Sequence, residues 1–228
     1  VGGRLARLRQ SQTGMPVATV HNGVAVDNFQ APLRDLSQPI LVYTGAVTFW
    51  SGLETVIQAL PAIVCALPTV RLRIAGEGLA GYRRELEALV ATLNLGDRVE
   101  FLGRVENARI PVILADAHLG VATFRPLDLR RYAFPLKLLE YMAAGLPSIG
   151  TEDTETADLL AKHDCGVSVP FTAEAFAAAA IALLSDPARY RRMAQNARAA
   201  VEAGHRWRDL MDREYALIHE TWMRKEAK

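Results

Sequence analysis

Two opposite charges, Lys137 and Glu140, stand out in an otherwise apolar stretch of the sequence, YAFPLKLLEYMAAGLPSIGT, at residues 132–151. They are three residues apart, so on a helix they share one face. Free backbone N–H groups at the start of a helix attract anions, and a lysine there would add positive charge for a phosphate group. A glutamate one turn deeper could accept hydrogen bonds from a ribose diol. The stretch therefore has the residue types of a nucleotide-binding site.

The start of this helix is marked by Pro135, because proline fits the first helical position, where a missing N–H costs nothing. We expect the N–H groups of Leu136, Lys137 and Leu138 to be free and to point at the ligand. The alternative is a salt bridge between Lys137 and Glu140 on a solvated face. The apolar neighbours disfavour it, because a charge at the edge of a core needs a partner.

The elements that position this stretch alternate regularly along the chain. Strands are predicted at 40–46, 70–76, 99–103, 118–124, 147–151 and 166–170. Helices are predicted between them at 51–67, 81–96, 107–117 and 154–163, and Pro61 should kink or break the first of these. From Thr172 onward the pattern is entirely helical. This order predicts an α/β fold with a doubly wound parallel sheet and C-terminal helices.

Ligands of such sheets bind at the carboxyl ends of the strands. The segments that follow the predicted strands are therefore the candidate binding loops: 45–51, 76–81, 103–107, 124–135 and 151–156.

The composition excludes several other functions. Half of the 228 residues are hydrophobic and the formal net charge is +1, which argues against a nucleic-acid binder with a broad basic surface. Cys65 and Cys165 lie far apart without metal-ligand spacing, and no histidine pairs with a cysteine at such spacing. No apolar run is long enough to span a membrane. We expect no metal, no cofactor and a reduced, cytoplasmic protein.

Several stretches together resemble the retaining glycosyltransferases of the large family four, which have the GT-B fold. FPLKLLEYMAAGLPSIGT resembles their nucleotide-binding signature, and VHNGVAVDNF resembles the linker between their two halves. YTGAVTFWSGLETVIQAL resembles the glycine-rich loop and first helix of the C-terminal half. LRIAGEG, VEFLGRV and HRWRDLMDREYALIHETW resemble its next two strands and its closing helices. The resemblance covers roughly residues 17–225, in order and with matching spacing.

This resemblance implies the donor-binding half of an enzyme that moves a sugar from a UDP- or GDP-sugar to an acceptor with retention. Residues 1–37 would end the N-terminal half and form the linker, 38–205 would form the Rossmann-like nucleotide-sugar domain, and 206–228 the crossover helix. The N-terminal half, which supplies the acceptor site, would be needed for activity. Through that half, the enzyme would associate peripherally with the inner face of the membrane.

The resemblance also implies site residues. Lys137 and Glu140 would be catalytic, and the donor would contact Gly45, Gly103, Arg104, Val105, Tyr132, Phe134, Pro135, Leu136, Lys137 and Glu140. Glu140 would hold the ribose, and backbone groups around Arg104 and Val105 would face the base.

Two departures from the family pattern concern charge. The first glutamate of the signature falls on Tyr132, and the usual Arg and Lys of the glycine-rich loop fall on Ala46 and Ser51. We expect Lys137 to replace part of that lost charge, with help from arginines at 125, 130 and 131. Asp158 matches an acidic position of the family, although compensation of a helix dipole would explain it equally well.

These departures keep other functions open. One is a nucleotide-sugar epimerase or a phosphorylase on the same fold, although the cofactor lysine motif of a phosphorylase is missing. Another is a binding module that keeps the fold and has lost its chemistry.

The C-terminal segment carries an apolar stripe at helical spacing: Trp207, Met211, Tyr215, Ile218 and Trp222. In the family, the last helix crosses back onto the N-terminal half. We therefore expect the distal end near Trp222 to be exposed or covered by a neighbouring molecule. The alternative is that the whole stripe packs on its own domain.

Overall fold

The computed structural model describes residues 2–226, which contain a six-stranded sheet with helices on both faces. The strands are β1 (Ile40–Thr44), β2 (Arg71–Ala75), β3 (Val99–Gly103), β4 (Leu119–Ala122), β5 (Ser148–Thr151) and β6 (Gly166–Val169). Their order across the sheet is β3-β2-β1-β4-β5-β6, and every neighbouring pair is parallel. The predicted parallel, doubly wound sheet is confirmed.

The chain reverses its direction of winding between β1 and β4. From β1 it builds outward through β2 to β3, then returns to place β4 on the other side of β1. Such a switch point leaves a crevice at the carboxyl ends of the two central strands, where ligands of this fold class bind. β4 is buried throughout and β1 nearly so, because helices cover both faces.

Ten helices are present among the described residues. Their bounds are α1 (Gly3–Thr13), α2 (Leu53–Ala66), α3 (Ala80–Thr92), α4 (Ile110–Ala115), α5 (Asp128–Arg131), α6 (Leu136–Ala143), α7 (Glu155–His163), α8 (Ala173–Leu184), α9 (Pro187–Gly204) and α10 (Trp207–Glu226). All helices predicted between the strands are found, and the one at 107–117 begins with a 3₁₀ turn over Asn107–Arg109.

Pro61 does not break the helix, because α2 continues through it from Leu53 to Ala66. Pro61 lies on the exposed side of the helix. The buried side, which includes Ile57, Leu60 and Ile63, holds α2 against the sheet and α8. Packing of that face thus outweighs the hydrogen bond that proline removes.

Helix α6, which carries Lys137 and Glu140, is tied to the linker at its C-terminal end by two arginines. Arg34 donates to the carbonyl oxygens of Ala144 at 2.7 Å and Gly145 at 3.2 Å, and it also contacts the Ala117 carbonyl. Arg198 of α9 donates to the Ala143 carbonyl at 2.6 Å. The two guanidinium groups satisfy carbonyls that the helix end leaves free and fix the position of α6.

The segment before β1 also packs on the sheet domain, although the family resemblance implies that residues 1–37 belong to the end of the N-terminal half and to the linker. The Glu155 carboxylate accepts the N–H groups of Gly3 at 2.7 Å and Arg4 at 3.0 Å, which caps the start of α1. Arg4 binds both carboxylate oxygens of Asp158 at 2.7 Å. Asp158 therefore has a specific partner here besides any effect on the dipole of α7.

The apolar stripe of α10 lies in solvent. Trp207 is 44% exposed, Tyr215 73% and Trp222 55%. The expectation for the distal end is confirmed, and the exposure also extends to the proximal end. The alternative in which the stripe packs on its own domain is wrong. Among the described residues no helix is both long enough and apolar enough to cross a membrane.

Candidate functional site

The loops that follow β1 and β2 are locked together at the carboxyl edge of the sheet by close backbone contacts. A Cβ atom at Gly76 would lie 1.8 Å from the Gly45 carbonyl oxygen, and one at Gly78 would lie 1.8 Å from the Val47 carbonyl oxygen. Gly45 N–H donates to the Ala75 carbonyl at 2.9 Å. Glycine is required at 76 and 78 because no side chain fits between the two loops. The result is a rigid loop beside the switch point, with Gly45 exposed to solvent.

The ammonium group of Lys137 lies next to this loop. Its Nζ atom is 3.7 Å from the centre of the Tyr43 ring and 5.4 Å from that of Phe124. A Cβ atom at Gly45 would lie 3.5 Å from the same Nζ. The structure therefore brings together Gly45 and Lys137, two of the predicted site residues, although 92 positions separate them in the sequence.

The surroundings of Lys137 disfavour its charged form. Burial, with a smaller contribution from the positive charge of Arg130, lowers its pKa to about 7, while the charge of Glu140 acts in the opposite direction. The two aromatic faces offset only part of this cost. No acceptor or carboxylate within residues 2–226 forms a hydrogen bond or ion pair with the Lys137 ammonium. A bound anion would supply the missing negative partner.

The start of α6 differs from the expectation. Pro135 is the N-cap residue and Leu136 the first helical residue. The N–H groups of Leu136 and Leu138 are not free, because they donate at 3.1 Å to the carbonyl oxygens of Phe134 and Pro135. The tight turn at Pro135 directs these two groups back to the chain. Of the three N–H groups expected to be free, only that of Lys137 lacks an acceptor among the described residues.

Glu140 lies one turn further along α6 and is partly buried. Burial raises its pKa, and the charge of Lys137 acts in the opposite direction. Within the described residues no ion pair shorter than 4.0 Å joins Glu140 to Lys137. The salt-bridge alternative is therefore wrong. Apart from the aromatic rings beside Lys137, neither charged group has a hydrogen-bond or ion-pair partner among the described residues.

The three arginines expected to add positive charge near Lys137 have different interaction partners. Arg125 forms an ion pair with Glu54, and Arg131 forms one with Asp153. Arg130 is stacked between the rings of Trp50 at 5.2 Å and Phe124 at 5.5 Å. Its guanidinium forms no ion pair with any described carboxylate, and its charge acts on Lys137. Arg130 is thus the arginine placed to act with Lys137.

Ala46 and Ser51, at the two loop positions that lack the usual cations, have structural roles. Ser51 is buried and donates its hydroxyl hydrogen to the Thr48 carbonyl at 2.5 Å. The Ala46 carbonyl accepts the Tyr43 hydroxyl at 2.6 Å, which holds the Tyr43 ring under Lys137. Sequence reasoning missed Tyr43, because a tyrosine in a buried strand looks like an ordinary core residue.

The residues predicted to face the base lie at the end of β3. Gly103 has a positive φ of 67° and its carbonyl accepts the Gly76 N–H at 2.8 Å. Beyond it, Arg104 and Val105 line a pocket of about 380 Å³. The other lining residues are Leu102, Glu106, Arg109 and Ile113. This pocket is separated from β1 by one strand, on the same edge of the sheet as Lys137.

Tyr132 and Phe134 have surroundings different from those of Lys137. Phe134 is stacked on His21 of the linker, with ring centres 5.1 Å apart. Tyr132 lines a separate pocket of about 260 Å³ together with residues of α1. The predicted contact set is therefore spread over a continuous edge rather than gathered in one cavity.

A cluster of three histidines connects the linker to the last helices. His205 lies 4.5 Å from His21 and 6.1 Å from His163, measured between ring centres. Nδ1 of His205 and Nε2 of His163 are buried without a hydrogen-bond partner among the described residues. Burial, together with smaller contributions from His21, His163 and Lys162, lowers the pKa of His205 to about 4. Burial also lowers the pKa of His163, so the surroundings of both rings disfavour the charged form.

One further pocket lies at the other end of α6, beside Gly145, between linker residues 31–34 and α9. It contains none of the predicted site residues. Among the described residues, no group of three or more His, Cys, Asp or Glu side chains could hold a metal ion.

The sequence matches a known protein family and several known proteins. The sequence model of the family described as "Glycosyl transferases group 1" matches residues 26–200. Alpha-D-kanosaminyltransferase of Streptomyces kanamyceticus is 30% identical over 161 residues, which cover 70% of this chain and 40% of that protein. Phosphatidyl-myo-inositol mannosyltransferase of Mycolicibacterium smegmatis is 30% identical over 189 residues, 80% of this chain and 47% of that one. The chain spans less than half the length of these relatives.

Solved structures show the same fold. Sucrose-phosphate synthase of Thermosynechococcus elongatus has a TM-score of 0.80 and 26% identity, covering 96% of this chain and 56% of that one. The Anabaena protein HepE in complex with UDP has a TM-score of 0.82 and 19% identity, covering 96% and 63%. The predicted fold class, the Rossmann-like half of a GT-B fold, is thereby confirmed.

Proposed function

Since the chain belongs to the family of glycosyl transferases group 1, we propose that it is the donor-binding half of a retaining glycosyltransferase. The donor is a nucleoside diphosphate sugar, and a second half of the same protein supplies the acceptor site. The observation that carries the proposal is the unpaired, partly buried Lys137 ammonium at the switch point between β1 and β4. Relatives that are glycosyltransferases, and a structure of the same fold that holds UDP, support it.

The positive charge in this proposal acts on the leaving group. As the glycosidic bond to the sugar breaks, negative charge grows on the diphosphate, and a preorganised cation stabilises it in the transition state. Lys137 and Arg130 supply that charge, and their mutual repulsion supports a ligand with negative charge. No metal ion is needed for this step in the proposal.

The remaining contacts follow the edge of the sheet. The base lies in the pocket beyond β3, against Arg104 and Val105. The diphosphate lies across the Gly45 loop, where the backbone is exposed and fixed by Gly76. The ribose lies between them and donates its hydroxyl hydrogens to Glu140. Because Glu140 has no protein partner, such a bond stabilises the complex without breaking an existing one.

A second candidate is a module that binds the donor and has lost transfer activity. The buried Ser51 and the Ala46 side chain leave the glycine-rich loop without cations, which favours this candidate. In this case the nucleotide binds at Lys137, but the whole protein neither transfers the sugar nor hydrolyses the donor, even slowly.

The test is a screen of melting temperature with UDP, GDP, ADP and their sugars. We expect at least one nucleotide to raise the melting temperature of the chain, and Glu140→Ala to weaken its binding at least tenfold without unfolding the domain. A tenfold change is about 1.4 kcal/mol, just below the range of roughly 1.5–3 kcal/mol for a hydrogen bond to a charged group. Glu85→Ala, an exposed glutamate on α3, is the matched control.

Binding unchanged in Glu140→Ala would contradict the ribose assignment. The absence of any response to the three nucleotides and their sugars would contradict the proposed function as a whole. Sugar transfer or hydrolysis by the whole protein would separate the enzyme from the second candidate.

A further inference from the structure

Three aromatic rings hold the two cations of the proposed diphosphate site. The Phe124 ring is shared, because its centre lies 5.4 Å from Nζ of Lys137 and 5.5 Å from Cζ of Arg130. Each cation also lies over a ring of its own. The second ring of Lys137 is Tyr43 at 3.7 Å, and that of Arg130 is Trp50 at 5.2 Å. We call the rings of Tyr43, Trp50 and Phe124 the aromatic cradle.

The aromatic cradle is fixed by hydrogen bonds between the segments that follow the central strands. The Arg125 N–H, in the segment after β4, donates to the Trp50 carbonyl, in the loop after β1, at 2.9 Å. The Phe124 N–H donates at 3.1 Å to the hydroxyl oxygen of Thr151, at the end of β5. Phe124 is buried and Trp50 is partly exposed. The positions of these two rings are thus set by the backbone and not by the cations they hold.

A neighbouring arginine with similar ring contacts has a different electrostatic partner. Arg125 also lies over two rings, those of Phe49 at 5.6 Å and Phe171 at 5.9 Å. It forms an ion pair with Glu54, so its charge is compensated within the protein. No described carboxylate pairs with Arg130, and the charge of Arg130 is therefore left for a ligand.

An aromatic face holds a cation without neutralising it. The face attracts the positive charge through the quadrupole of the ring, yet the ring carries no net charge that a phosphate would have to displace. A guanidinium group stacked on a ring keeps the N–H groups of its edge directed outward, where they can pair with phosphate oxygens. A carboxylate at the same place would occupy these groups and cancel the charge. The aromatic cradle is therefore suited to hold cations for an anionic ligand.

On the basis of the proposed function, we propose that Trp50 and Phe124 are positioning residues for the diphosphate of the donor, and that they act through the cations they hold. Trp50 acts on Arg130 alone, whereas Phe124 acts on both cations. The glycine-rich loop thus contributes a ring directly before Ser51, one of the two positions where the usual cations are missing. This ring fixes a cation that comes from α5 instead of from the loop.

The experiment measures, by calorimetry, the affinity of the chain for the nucleotide that the thermal screen identifies among UDP, GDP and ADP. In Trp50→Leu we expect binding about fivefold weaker, because Arg130 loses the ring on one of its faces. Trp50→Phe keeps a ring and should bind within about twofold of the unchanged chain. Phe49→Leu is the matched control, since it removes a ring from Arg125, whose charge Glu54 already compensates; its affinity should change by less than about twofold.

A double-mutant cycle separates positioning of the arginine from a general effect on the loop. Arg130→Gln should weaken binding about tenfold, and adding Trp50→Leu should cause no further loss, because the ring then has no guanidinium group to hold. In Trp50→Leu alone, the pKa of Lys137 should rise, since Arg130 repels it less once released, and the pH dependence of binding reports this change. Urea unfolding of each variant controls for folding. Trp50→Met, which is long but has no ring, replaces Trp50→Leu if the latter does not fold.

Two results would overturn the inference alone. One is the same affinity in Trp50→Phe and Trp50→Leu, because a ring at this position would then have no effect. The other is an equal loss from Trp50→Leu with and without Arg130, because the ring would then act independently of the arginine. In both cases the nucleotide still binds and the proposed function stands. A chain that binds none of the nucleotides would contradict the proposed function and the inference together, so the two failures are distinguishable.

Discussion

Lys137 is expected to take up a proton when the donor binds, because its surroundings hold its pKa near 7 in the free chain. The difference from its ordinary value of 10.5 corresponds to about 5 kcal/mol, by which burial and Arg130 disfavour the ammonium. A diphosphate would return most of this energy by pairing with the charge. Its binding should therefore raise the pKa of Lys137 toward the ordinary value.

The affinity for the diphosphate should decrease as the pH rises through 7. If the diphosphate binds the ammonium form, affinity is at its full value below pH 7 and falls as the free lysine loses its proton above pH 7. With a pKa of about 7, the dissociation constant should rise about tenfold between pH 6 and pH 8. Each tenfold change corresponds to about 1.4 kcal/mol.

The assay is calorimetry with a nucleoside diphosphate sugar, whose phosphates do not titrate in this range. At pH 8, buffers with different ionisation enthalpies should reveal uptake of about 0.9 proton per ligand bound. Lys137→Arg is the matched control, because arginine stays charged and should bind with no such pH dependence. Arg130→Gln should move the midpoint to higher pH, since it removes the repulsion on Lys137.

An affinity constant within twofold between pH 6 and pH 8 would refute this reasoning. The same slope in Lys137→Arg would refute it as well, because another group would then be titrating. Glu140→Gln tests that other group, and proton uptake should persist in this variant.

Three other variants test how the site is positioned. Gly76→Ala should lower the free energy of unfolding by about 3 kcal/mol, because the added Cβ would meet the Gly45 carbonyl oxygen. Gly81→Ala places its Cβ in open space and should change that free energy little, so equal effects of the two variants in urea unfolding would contradict this. The pKa of His205 is about 4 in the folded chain, against an ordinary value of 6.5. The free energy of unfolding should therefore fall as the pH drops below 6.5, by about 2.5 kcal/mol at pH 4.5, and in His205→Phe this part of the loss should disappear. Arg34→Met should lower the free energy of unfolding by about 3 kcal/mol, because it leaves the carbonyl groups at the end of α6 unpaired. A decrease below about 1 kcal/mol in urea unfolding would contradict the role of Arg34 in fixing α6.

The exposed stripe of α10 is consistent with the crossover role that the family resemblance implies for residues 206–228. Trp207, Tyr215 and Trp222 are all at least 44% exposed, which is unusual for so many aromatic side chains on one helix. The division of the chain at residues 37 and 205 stays a prediction. The contacts of α1 with Glu155 and Asp158 show that the first segment also packs on the sheet domain.

The sequence by itself determined the element order and the parallel sheet. These follow from local patterns, since apolar periodicity and the alternation of strands and helices depend on neighbours within one turn or one strand. It also singled out Lys137 and Glu140, because charges in an apolar helix are conspicuous. It did not show that α2 continues through Pro61, because local propensity does not include the packing of the opposite face of α2.

The tertiary structure alone decided what those two charges face. Tyr43 and Lys137 are 94 positions apart, yet the ring and the ammonium meet at 3.7 Å. The free N–H groups expected at the start of α6 were reduced to one by the turn at Pro135. Arg125 pairs with a carboxylate of α2 and Arg131 with one in the loop after β5, whereas Arg130 has no such partner among the described residues. The physical reason is that burial, pairing and pKa depend on which distant segments pack together, and no local pattern records that.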